Sequence, residues 1–113
     1  MVKLNFETQR LPGKPFTGKL DGARTIEVYA TNDEQVLVYI APFGDLYTFG
    51  YKVYVNGGRS FNVEPNPEFG LFRTAAFAEG YALQLIFEKA YISDEARNAV
   101  LQKALPLRQL ELF

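Results

Sequence analysis

The apolar residues of this 113-residue chain change their spacing once, near Pro65–Gly70, and that single change limits the fold more than any other feature. Before it, they recur at every second position or in short β-branched and aromatic runs, as strands require. After it, they recur at three- and four-residue intervals, as amphipathic helices require. Strands followed by helices, without alternation, point to an α+β layer rather than a parallel α/β sheet.

Five strands are expected. Val2, Leu4 and Phe6 alternate with polar residues and read as the first. Leu11-Pro12-Gly13-Lys14-Pro15 breaks any ladder, so a loop is expected across Arg10–Gly22, with room for a short edge strand near Phe16–Leu20. The second strand covers about Arg24–Ala30. The third covers Gln35–Ala41, and its run Val36-Leu37-Val38-Tyr39-Ile40 is apolar on both faces, which predicts a central position. The fourth covers Leu46–Val55 and ends at Asn56-Gly57-Gly58, a strong hairpin signal. The fifth covers Arg59–Val63.

Two helices follow. Thr74 is the expected N-cap of a helix over about 75–89. Gly80 lies in its middle at a cost of about 1 kcal/mol relative to Ala, and close approach of Gly80 and Ala76 to the sheet would explain it. Ser93-Asp94-Glu95 supplies the next N-cap and two acids at the positive end of the helix dipole. Pro106 should stop that helix near Ala104. The expected architecture is thus α+β: an antiparallel sheet of about five strands, then two C-terminal helices packed on one face. Residues 1–105 form one domain and residues 106–113 a tail.

Composition removes several function classes. With no Cys and no His, thiolate or imidazole metal sites, disulfides and His-based acid–base chemistry are excluded. No metal or cofactor is expected. The acids Asp21, Asp33, Glu34, Asp45, Glu64 and Glu68 fall in expected loops, with no spacing that forces a pair together, so catalysis is not expected either. The net charge of −1 argues against a broad nucleic-acid footprint. No apolar run approaches the roughly 20 residues of a membrane span, so a cytoplasmic protein is the expectation.

Two features bear on partners. Tyr47, Phe49 and Tyr51 share one face of the fourth strand, with Lys52 and Arg59 nearby. Such a stripe either stacks bases of single-stranded nucleic acid or packs beneath the helices. Helices covering one sheet face is the default layer arrangement, and basic residues are few, so packing is the stronger expectation.

The other feature is the end of the sequence, Gln109-Leu110-Glu111-Leu112-Phe113. It resembles the peptide by which bacterial proteins bind the sliding clamp of the replicative polymerase, whose consensus is Gln-Leu-(Asp or Ser)-Leu-Phe. Glu111 is the sole departure, and it keeps the acid. The resemblance implies that Leu112 and Phe113 are deep apolar anchors, that Leu110 fills a shallower subsite, and that the Gln109 amide fixes register. Its implied role is a non-catalytic adaptor or modulator on the clamp. The same residues admit another reading. Leu110 and Leu112 flank Glu111 with strand periodicity, so the segment would complete a sheet, in its own chain or in a homodimer partner.

Overall fold

A computed structural model describes residues 4–110, with side chains described through Leu107. It contains four strands, β1 (Arg24–Ala30), β2 (Glu34–Phe43), β3 (Leu46–Val55) and β4 (Phe61–Val63), then helices α1 (Ala75–Lys89) and α2 (Asp94–Leu110). The strands form one antiparallel meander in the order β1-β2-β3-β4. Its register stacks Ile26, Val38, Tyr51 and Val63 side by side, so these four share a face.

That face carries the helices. Val36, Val38, Ile40, Phe49 and Val53 are buried on it and join Ala78, Ala82, Leu83 and Ile86 of α1 and Ala96, Val100 and Ala104 of α2 in one core. α1 lies over β2 and β3, while α2 packs beside α1 and reaches β1. Every residue from Ala78 to Gln84 is buried, so α1 is enclosed nearly all round and not simply laid on the sheet. Both expected caps form. Thr74 Oγ1 accepts from the Phe77 amide at 3.1 Å, and Ser93 Oγ accepts from the Ala96 amide at 3.1 Å. The buried Glu34 carboxylate accepts from the Ser93 amide at 2.7 Å, which ties the start of β2 to the positive end of α2.

The structure corrects four expectations. The described sheet has four strands rather than five. Leu4 and Phe6 are buried, but the chain turns into a single 3-10 turn at Glu7–Gln9 instead of joining the sheet. Their alternation reflects packing onto α1: the Phe6 amide donates to the buried Gln84 Oε1 at 2.7 Å. Gly80 is explained by the same contact. A Cβ there would lie 2.5 Å from Cδ1 and Cζ of the Phe6 ring, so the glycine admits the N-terminal segment rather than the sheet.

The segment near Phe16–Leu20 is not a strand; the preceding loop instead makes an isolated bridge between Leu11 and Leu71. Finally, Pro106 does not end α2, which continues to Leu110. Proline removes one amide donor and pushes away the carbonyl four residues earlier, that of Gln102. Gln102 and Pro106 are both exposed, so water can satisfy the freed carbonyl and the helix persists. The expected boundary at 105/106 therefore falls inside a helix.

Candidate docking surfaces

The aromatic stripe faces the helices. Phe49 is 2% exposed, in edge-to-face contact with Phe72 and Tyr81, while Tyr47 and Tyr51 are half-buried against the core. A base has no ring face to stack on at Phe49, and stacking is what a single-strand platform requires. Lys52 points to the other side of the sheet, in register with Leu37 and Asn62, and Arg59 lies in the turn before β4. Tyr47, Phe49, Tyr51, Lys52 and Arg59 are thus divided between two faces and a turn. The expected alternative site is not assembled.

The sheet's second face is half covered. After β4 the chain crosses over Gly50, where a Cβ would come 2.6 Å from the Pro65 amide nitrogen. It is then held by Thr48, whose buried hydroxyl lies 2.8 Å from the Asn66 carbonyl and 3.1 Å from that of Gly70. Beyond this strap Leu37, Tyr39 and Lys52 are half-buried and Tyr54 is exposed. Tyr39 donates from its hydroxyl to Asn62 Oδ1 at 3.1 Å, and burial, then the neighbouring Glu64 carboxylate, raises its pKa.

On the helix side, α1 leaves a trough between itself and the β4 edge. One part is lined by Tyr51, Val53, Phe61, Leu85, Ile86 and Lys89. The adjoining part shares Tyr51 and Leu85 and ends at Arg10, Glu68 and Phe69. Phe61 is 43% exposed and Phe69 36%. The Arg10 end is electrostatically occupied: its guanidinium pairs with Glu7 at 3.0 Å, donates to the Tyr81 hydroxyl at 3.3 Å and lies over the Tyr81 ring. Sequence reasoning missed this trough because three separate elements build it. The available signal was Phe61-Asn62-Val63, a period-2 triplet after the hairpin glycines.

Glu79 is the other chemically distinctive group. It is 9% exposed on α1, and burial raises its pKa against the opposing pull of Lys103 and Arg24. Among the described residues no cluster of three or more acidic side chains gathers to hold a metal, and no described helix is long and apolar enough to cross a membrane. Of the motif residues, Gln109 and Leu110 are described only as backbone of the last turn of α2, and Leu112 and Phe113 lie outside the described residues. Comparisons with protein-family models, curated proteins and solved structures find no match.

Proposed function

We propose that this chain is a non-catalytic adaptor that docks on a bacterial sliding clamp through Gln109, Leu110, Leu112 and Phe113. The observation that carries the reading is the order Gln-Leu-Glu-Leu-Phe itself. Average residue usage makes the pattern Gln-Leu-x-Leu-Phe roughly a one in 10⁵ event per window. A short peptide binds by filling a preformed pocket with a few anchors, and this segment offers three apolar ones and an amide that both donates and accepts.

The fold is compatible with presenting it. Gln109 and Leu110 occupy the last turn of α2, after Pro106. Opening that turn into an extended peptide costs little, because helix termini fray readily. Such an adaptor would work where the clamp works, in the bacterial cytoplasm.

The test is titration of the purified protein onto a bacterial sliding clamp, with a Leu112→Ala, Phe113→Ala double variant as control. Micromolar binding, about −8 kcal/mol, that the double variant abolishes supports the reading. No binding, or equal binding by the variant, removes it.

A further inference from the structure

The trough beside β4 has the form of a strand-addition site. Among the described residues β4 is the last strand of the sheet and pairs with β3 alone, so its outer edge presents backbone donors and acceptors that no described strand takes up. The trough next to that edge has Tyr51 and Val53 as its floor and Leu85 and Ile86 as its wall. An edge strand beside an apolar cleft receives an extended peptide by main-chain pairing, with alternate side chains in the cleft.

We propose that the occupant is the Leu110–Leu112 segment of a second copy of this chain, exchanged reciprocally in a two-fold dimer. Its pattern fits the edge. With Glu111 opposite Asn62, Leu110 and Leu112 stand beside Phe61 and Val63 on the trough side. Glu111 then lies on the sheet's second face in line with Asn62 and Lys52, which are cross-strand partners. Two strand spacings, about 9.6 Å, separate it from Lys52 at the backbone, within the joint reach of the two side chains. The complementary charges select this register.

The donor is a second copy because α1 stands between α2 and the trough. α2 packs on α1 and β1, whereas the trough lies on the far side of α1. Pairing takes Leu110 out of the last turn of α2. Counted from Leu107, which packs against the core, Leu110 is three residues on, a reach of about 10 Å. That is less than the four strand spacings, about 19 Å, between β1, which α2 contacts, and the added strand. The inference does not rest on the clamp reading. Because both draw on the same residues, it makes clamp binding and self-association compete.

The test is sedimentation equilibrium of the full chain over a concentration series. A dimer is expected for the parent, and monomers for Phe61→Asp and for Leu112→Asp. An equimolar mixture of these two variants should recover a heterodimer, because one copy keeps its trough and the other its segment. Lys52→Glu should weaken the dimer severalfold, and adding Glu111→Lys should restore it. Phe61 is exposed on an edge strand, so circular dichroism and Tm should show the variant folded. A parent that stays monomeric, a dimer indifferent to Phe61→Asp or Leu112→Asp, or a mixture that fails to associate overturns the proposal. Phe61→Asp leaves Gln109–Phe113 intact and should still bind a clamp, so failure here is distinguishable from failure of the adaptor reading.

Discussion

Gly80→Ala should destabilise this protein, although the same change inside an ordinary helix stabilises it. Removing a mid-helix glycine is worth about 1 kcal/mol in helix propensity. Here the new methyl would lie 2.5 Å from two atoms of the Phe6 ring, well inside van der Waals contact. The ring is fully buried, and its own amide is held by Gln84, so it has little room to retreat. Overpacking of this kind costs about 1–3 kcal/mol, and complete closure of the site puts Gly80 at the upper end. If the ring were expelled instead, the loss of Phe6 burial would be of similar size, about 2–3 kcal/mol.

The net expectation is a loss of about 1–2 kcal/mol, or roughly 4–8 °C in Tm for a domain of this size. The diagnostic measurement is a cycle with Phe6→Leu, which removes Cε1 and Cζ of the ring and keeps an apolar side chain whose δ-carbons can turn away from residue 80. In that background Gly80→Ala should gain about 1 kcal/mol. The coupling of about 2–3 kcal/mol is what contacting residues show. Urea unfolding of the four proteins measures it. A stabilising Gly80→Ala in the parent, or no coupling to Phe6→Leu, would refute the reasoning and detach the N-terminal segment from α1.

Two further outcomes follow from α1 and α2. Burial raises the Glu79 pKa above the ordinary 4.5, so the folded state holds that proton more tightly than the unfolded state. Its contribution to stability therefore falls as pH rises from 4.5 through the folded value. Glu79→Gln should stabilise the protein at neutral pH and do so less near pH 4.5, in thermal melts across that range; an advantage that stays flat or shrinks as pH rises contradicts this. Pro106→Ala restores the amide donor to α2 and should raise Tm and helical circular dichroism, by an amount bounded by the roughly 3 kcal/mol cost of an interior proline. The restored bond joins residue 106 to Gln102 and leaves the turn holding Gln109 and Leu110 as it was, so clamp binding should be unchanged.

Local chemistry decided much of this molecule. The hairpin glycines, the capping hydroxyls of Thr74 and Ser93, the central position of Val36–Ile40 and the order of strands before helices are short-range properties, legible in the residues themselves. So is the Gln109–Phe113 resemblance, which depends on five consecutive side chains and on nothing else in the chain.

What the sequence could not assign were the choices made by distant partners. Alternation at Leu4 and Phe6 looks the same whether those residues pair in a sheet or pack on a helix, and only α1, arriving more than 70 residues later, selects the second. Tyr47, Phe49 and Tyr51 share a face in either reading, and only the placement of the helices turns that face inward. Pro106 is tolerated because tertiary packing sets Gln102 and Pro106 on the solvent side. The trough beside β4 exists because α1 covers β2 and β3 and stops there. Burial is a property of the assembled layers: spacing along a chain says which residues share a face, and only packing says what that face meets.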